Sequence, residues 1–211
     1  MTALTCVSCA DVKPIENGKK YGPVTQLIDL FTSCQLVETS EGPVLFDACW
    51  REGELVARLR EKGHAPEDIV AVFITHGHED HVKALPKLVN AKVLALEAEG
   101  LETDQVVHDG ELVFIGDTAI RVFAMPGHTP GSAAYLVGGT LVLGDAALIT
   151  ADGSLAPAPE DKSDDPQQAI RSLVELSSRL TAGGFDVKWL LPAHSGGVEG
   201  RAALDAFVAA Q

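Results

Sequence analysis

Thr75-His76-Gly77-His78-Glu79-Asp80-His81 puts three imidazoles and two carboxylates into seven residues, directly behind the apolar run Ile69–Ile74. The Val, Phe and Ile content of that run predicts a buried strand of about six residues. Ligand-type side chains therefore leave a rigid strand end. Neutral imidazole nitrogens crowded beside carboxylates suit zinc, iron or manganese, because a divalent cation absorbs the charge such crowding would otherwise leave uncompensated. Three of the seven histidines fall here, more than a polar surface turn calls for, and His76, His78, Asp80 and His81 become candidate metal ligands.

Upstream, Val24–Leu30, Cys34–Thr39 and Val44–Ala48 are β-rich segments split by Thr32-Ser33 and Glu41-Gly42-Pro43, which predicts an antiparallel meander. The third ends on Asp47, a carboxylate at a strand terminus that serves either as a cap or as the orienting partner of a metal-bound histidine. Glu52–Lys62 carries Leu55, Val56 and Leu59 at helical spacing and stops at Gly63. Downstream, Val82–Val89 has helical spacing interrupted by Pro86, and Lys92–Leu96 predicts a short strand. Glu111–Ile115 and Ala119–Ala124 flank Gly116-Asp117-Thr118 in a hairpin pattern. The second of these strands runs into Met125-Pro126-Gly127-His128-Thr129-Pro130-Gly131, a rigid support for a ligand at His128.

Ala133–Val137 and Thr140–Leu143 meet at Gly138-Gly139, and the latter strand ends on Asp145. Residues 150–166 are rich in Ala, Pro, Asp and Ser and predict a long loop, a candidate substrate lid. A helix is expected over Gln167–Leu180, a strand over Val187–Leu191 ending near His194, and a closing helix over Glu199–Ala210.

The 211 residues, 46% of them hydrophobic, suffice for one domain with a sizeable core, residues 1–211, with 1–20 as a candidate flexible N-terminal segment. Sixteen basic against 30 acidic residues give a net charge of -14 and no basic cluster beyond Lys19-Lys20, which argues against nucleic acid as a partner. No apolar run approaches the ~18 residues of a membrane span. Met1–Ala10 lacks a basic region ahead of an apolar one, so the expectation is a cytoplasmic protein or one whose leader has been removed. Cys6, Cys9, Cys34 and Cys49 are too few for a disulfide framework, and Cys6-Val7-Ser8-Cys9 has no second pair with which to complete a zinc site.

Each ligand-type position thus follows a strand and precedes a loop or helix. In this the chain resembles the metallo-β-lactamase superfamily, whose H-x-H-x-D-H motif matches His76, His78, Asp80 and His81 without a gap, and whose later His, Asp and His match His128, Asp145 and His194 in order. The resemblance implies an α/β protein with an αββα four-layer sandwich and two metal ions, zinc with iron or manganese as alternatives. It also implies that His76, His78 and His128 hold one ion, that Asp80, His81 and His194 hold the second, and that Asp145 bridges them. Asp47 matches the family's first motif and would orient a histidine, whereas His64 and His108 match nothing.

Such a pair of ions lowers the pKa of a shared water toward neutrality. Asp80 is then the candidate catalytic residue, orienting the water and shuttling its proton. The resemblance leans to the glyoxalase II and lactonase branch, which opens thioesters and lactones of small molecules. Classical β-lactamases generally lack the aspartate bridge, and persulfide dioxygenases of the same superfamily keep several of these motifs around a single iron. Glyoxalase II also carries a helical C-terminal domain that binds glutathione, and only a short segment follows His194, a departure that weighs against glutathione specificity.

Overall fold

A computed structural model describes residues 12–211; Cys6 and Cys9 lie outside the described residues. In chain order, β1 (Lys20–Tyr21), β2 (Val24–Asp29), β3 (Thr32–Val37) and β4 (Val44–Phe46) form an antiparallel meander. Helix α1 (Glu52–Glu61) then crosses to β5 (Ala71–Phe73), and the short helix α2 (Glu79–Val82) leads to β6 (Lys92–Leu96) and β7 (Gln105–Val107). These seven strands make one sheet in sequence order, parallel from β4 onward. Strands β8 (Leu112–Ile115), β9 (Thr118–Ala124), β10 (Ala133–Val137) and β11 (Thr140–Gly144) start the second sheet. A separate hairpin of β12 (Ala147–Ile149) and β13 (Leu155–Pro157) and the helix α3 (Pro166–Ala182) follow. Strands β14 (Trp189–Pro192) and β15 (Val198–Glu199) complete the second sheet in the order β15-β14-β11-β10-β9-β8, and α4 (Ala202–Ala209) ends the described elements.

Strand alternation builds the layers. Val44, Phe46, Ala71 and Phe73 point between the sheets, where they meet Val122, Tyr135, Val142 and Leu191 of the second sheet. Leu45 and Val72, on the opposite face, pack beneath Leu55 and Leu59 of α1. Phe123, Leu141 and Leu190 likewise pack beneath Leu173, Leu176 and Leu180 of α3. A strand buried on both faces needs apolar residues at every position, which is why Ile69–Ile74 reads as an unbroken apolar run. Phe46, Phe73 and Tyr135 pack pairwise in tilted or edge-to-face arrangements with centroids 5.3 to 5.6 Å apart, each burial contributing about 1.5–3 kcal/mol. The result is the αββα sandwich.

Several local expectations change. Pro86 has no N–H to continue a helix, so in place of a helix over Val82–Val89 the chain forms α2 and then a separate 3-10 turn at Leu85–Lys87. The break expected at Thr32-Ser33 moves to Leu30-Phe31, with Leu30 at φ 63°, and Thr32 and Ser33 join β3. The long loop over 150–166 is partly ordered, since β13 pairs back on β12 and Glu160–Lys162 forms a 3-10 turn. The closing helix begins at Ala202 because Val198 and Glu199 pair with β14 as an edge strand. The described part of the N-terminal segment is no free tail: Val12 bridges Thr150, and the Lys13 N–H donates to the Ile149 carbonyl at 2.8 Å.

A disulfide joins Cys34 on β3 to Cys49, two residues beyond Asp47, with Cα atoms 5.0 Å apart. Closing that loop of 15 residues stabilises the fold by about 3 kcal/mol in the chain-entropy account. Among the described residues, no helix is long and apolar enough to cross a membrane.

Candidate metal centre

Strands β4 and β5 run parallel, as do β11 and β14, and β9 and β11 share a direction because both are antiparallel to β10. Asp47, His76, His128, Asp145 and His194 follow the C-terminal ends of these strands and converge at one edge of the sandwich. Gly144 makes the convergence tight. It sits at φ 52°, and a Cβ there would lie 2.5 Å from Thr75 Oγ1, so only glycine lets the end of β11 approach the residue before His76.

All seven candidate ligands meet, in two groups: His76, His78 and His128 with Asp145, and Asp80, His81 and His194. Asp145 lies between them. Its Oδ2 is 3.1 Å from His194 Nε2, 3.5 Å from His128 Nε2 and 3.8 Å from His76 Nε2, while Oδ1 is 3.3 Å from His81 Nε2. Asp80 Oδ2 is 3.2 Å from His194 Nε2 and 3.6 Å from His81 Nε2. His64 instead pairs with Glu38 at 2.7 Å, and His108 is exposed, both away from the cluster.

Asp47 is fully buried at φ 59° and touches none of the convergent nitrogens. It accepts hydrogen bonds from the Thr75 N–H (2.7 Å), the Thr75 hydroxyl (2.8 Å) and His81 Nδ1–H (2.7 Å). Because the Thr75 proton is committed to Asp47, the 3.1 Å contact between Thr75 Oγ1 and His76 Nδ1 must be donated by the ring. One carboxylate thus fixes the tautomer of a histidine in each group. His76 Nε2 turns inward with its lone pair available for a ligand, and His81 Nε2 turns inward beside Asp145 and Asp80, where a bound cation would take the place of its proton.

His194 is set by a residue the sequence did not single out. Its Nδ1–H donates to the Phe31 carbonyl at 2.9 Å and its ring stacks on the Phe31 ring. A solvent-facing aromatic at a hairpin tip was the available signal.

Electrostatics set His76 and His128 apart from His81 and His194. Burial, aided by neighbouring imidazoles, pushes the His76 pKa far down. Burial likewise takes His128 down to about 4, although Asp145 resists. For His81 burial works the other way from its partners, yet Asp145 and Asp47 prevail and raise its pKa well above the ordinary value. His194 is also opposed by burial but pushed up to about 10, first by Asp145 and then by Asp80. Burial disfavours the charge on Asp145 and Asp80. Protonated His81 and His194 outweigh it for Asp145, while the His194 hydrogen bond and then the charges of His81 and His194 do so for Asp80, so both pKa values fall.

These residues fit divalent cations. His76 Nε2 is buried without a hydrogen-bond partner, and His78 Nδ1 faces His128 Nε2 at 3.0 Å, two ring nitrogens turned toward one point. Imidazole nitrogens turned inward beside carboxylates are the donor set that zinc, iron and manganese take, and a cation entering it would displace the protons of His81 and His194.

Residues 27–103 match the family profile described as the metallo-beta-lactamase superfamily. Metallo-beta-lactamase domain-containing protein 1 of Xenopus laevis is 33% identical over 164 residues, covering 70% of this chain and 70% of that protein. The chain belongs to the metallo-β-lactamase superfamily. A hydroxyacylglutathione hydrolase of Aliivibrio fischeri is 38% identical over 90 residues, which cover 40% of this chain and only 36% of that relative's length. Among solved structures, Rm3 metallo-beta-lactamase superposes with a TM-score of 0.70 at 19% identity, over 96% of this chain and 93% of that one. At that identity the likeness shows the superfamily's fold and no more.

Proposed function

We propose that this superfamily member is a metal-dependent hydrolase that opens ester-like bonds, thioesters or lactones, with two divalent cations. The observation that carries the reading is the position of Asp145 within 3.8 Å of nitrogens from both histidine groups, the placement that a carboxylate shared by two ligand sets would need. His76, His78 and His128 would hold one cation, and Asp80, His81 and His194 the other. Zinc best suits this nitrogen-rich set, with iron or manganese as alternatives. Cations held there would supply Lewis acidity and bring the pKa of bound water toward neutrality.

The chain's own residues do the rest. Asp80 lines the cleft with its carboxylate 3.2 Å from His194 Nε2 and 3.6 Å from His81 Nε2, where it would orient a water and accept its proton. Asp47 keeps His76 and His81 oriented, so nothing needs to reorganise when charge develops on the substrate.

A cleft of about 510 Å³ opens onto His78, Asp80, His128, Asp145 and His194. Its walls are mostly apolar, among them Ile15, Ile28, Leu30, Phe31, Leu148 and Pro159, with Lys13 and Lys162 as cations. Pro159 and Lys162 come from the 150–166 segment, which therefore contributes to the cleft. Apolar walls favour a small-molecule substrate with an aliphatic acyl portion, since removing such groups from water is the main source of binding energy available there.

The expected result is measurable kcat/KM on a short-chain lactone and an acyl-coenzyme A mimic, with no large preference for S-lactoylglutathione. A thousandfold preference for the glutathione thioester, about 4 kcal/mol of transition-state discrimination, would contradict it. Oxygen uptake with glutathione persulfide on an iron-loaded protein, or turnover of a β-lactam alone, would reassign the chemistry.

A further inference from the structure

Glu99 stands outside every motif in the sequence, at the end of the 3-10 turn Glu97–Glu99 that follows β6. Its Oε1 accepts the Gly77 N–H at 2.6 Å and its Oε2 accepts the Thr129 hydroxyl at 2.6 Å. Gly77 separates His76 from His78, and Thr129 follows His128. One carboxylate thereby ties together the two backbone segments that carry these three histidines, whose rings lie with centroids 4.6 to 4.7 Å apart.

The approach is built into both segments. A Cβ at Gly77 would lie 2.9 Å from Glu99 Oε1, and one at Gly131 would overlap the Glu99 backbone. Thr129 is itself fixed, its N–H donating to Ser132 Oγ at 3.0 Å and its hydroxyl oxygen 2.8 Å from that same Oγ. Since Thr129 spends its proton on Glu99, Ser132 donates the second bond. Among the described residues, no Lys, Arg or His forms an ion pair with Glu99. Glu99 does not line the cleft. Its contacts are those of an acceptor bridging two loops.

We propose that Glu99 is a positioning residue for the His76, His78 and His128 triad, setting the metal affinity of that triad without touching metal or substrate. The inference rests on the metal centre proposed above. Charge-assisted hydrogen bonds to backbone and hydroxyl are short and directional, so removing this acceptor frees the two segments to drift apart. The triad then loses the pre-set spacing of its nitrogens, while Asp80, His81 and His194 keep theirs.

The test is a zinc titration of metal-free protein against a chromophoric chelator, with thermal unfolding of each metal-free variant. E99A is expected to weaken one of two binding steps by about 10–100-fold, as loss of a ligand's supporting partner does, and to leave the other step unchanged. T129V removes one of the two bonds and should weaken the same step less. It carries the test if metal-free E99A fails to fold.

E99Q should bind like wild type. The amide oxygen still accepts from Gly77, and the amide nitrogen can donate to Thr129 Oγ1, whose proton then turns to Ser132. Wild type that takes up two ions beside E99A or T129V that takes them up as tightly would overturn this inference alone. So would equal weakening of both steps, or E99Q as impaired as E99A. Wild type that binds no metal would bring down the metal centre itself, and this inference with it.

Discussion

Replacing Asp145 by alanine is expected to cut kcat by at least about a thousandfold, roughly 4 kcal/mol of lost transition-state stabilisation, because a two-metal site without its shared anion cannot hold both ions in one working unit. Asp145 is the group closest to both sets at once, 3.1 Å from His194 and 3.3 Å from His81 on one side and 3.5 Å from His128 on the other. Among the described residues, removing its charge leaves Asp80 and Asp47 as the only carboxylates touching these imidazoles, and a second cation among them then lacks compensation. The fold should survive. Asp145 follows β11 at the sandwich edge, its side chain is 13% exposed, and it belongs to none of the apolar clusters.

Asp145→Asn is the sharper variant, since it keeps the volume and removes the charge. Turnover and metal content are measured on the same samples. Loss of activity with a preserved metal-free melting profile supports the bridge, whereas unchanged turnover in both variants would show that Asp145 only caps a strand end.

Asp47→Ala should damage stability as well as chemistry. Three hydrogen-bonded groups lose their acceptor inside a fully buried site, including a histidine whose raised pKa depends in part on this carboxylate. Breaking such a buried pair costs about 3–5 kcal/mol, and for a chain of this size each kcal/mol lowers Tm by about 2–4 °C. Because Asp47 orients His81 directly and His76 through Thr75, affinity should fall for both ions by about 10–100-fold. This sets it apart from Glu99, whose effect is confined to one triad.

Asp47→Asn keeps an acceptor and tolerates the positive φ better than alanine does, so it should recover much of the stability. Thermal unfolding with metal titration measures both effects. An alanine variant as stable as wild type, binding both ions unchanged, would contradict the role assigned to Asp47.

How far the fold could be read from sequence follows from how many faces each segment buries. Strands buried on both sides, such as β4 and β5, announce themselves as apolar runs, and the helices α1 and α3 show their buried stripes at helical spacing. Two-residue or three-residue edge strands such as β1, β7 and β15 carry no such pattern, because their pairing is decided by the neighbour they dock on. β13 carries no such pattern either, lying in a segment whose Ala, Pro and Asp content speaks for a loop.

The site divides similarly. His76, His78, Asp80, His81, His128, Asp145 and His194 stand out because ligand chemistry restricts residue type at strand ends. Phe31 leaves only the faint signal of an aromatic at a hairpin tip, and Glu99 leaves none, because accepting hydrogen bonds from a glycine amide and a threonine hydroxyl is a task many residues can do. The Cys34–Cys49 bridge was equally hidden, since pairing depends on where β3 lies against the loop after β4.

A dinuclear centre requires the two ligand groups around Asp145 to act as one unit. The direct measurement is metal per chain by elemental analysis, on protein stripped with chelator, reconstituted with zinc and separated from excess ion by gel filtration. The ligand sets predict about two ions per chain in wild type, falling in Asp145→Ala. A stoichiometry that saturates at one ion per chain, or at none, in wild type supplied with excess zinc would contradict the account.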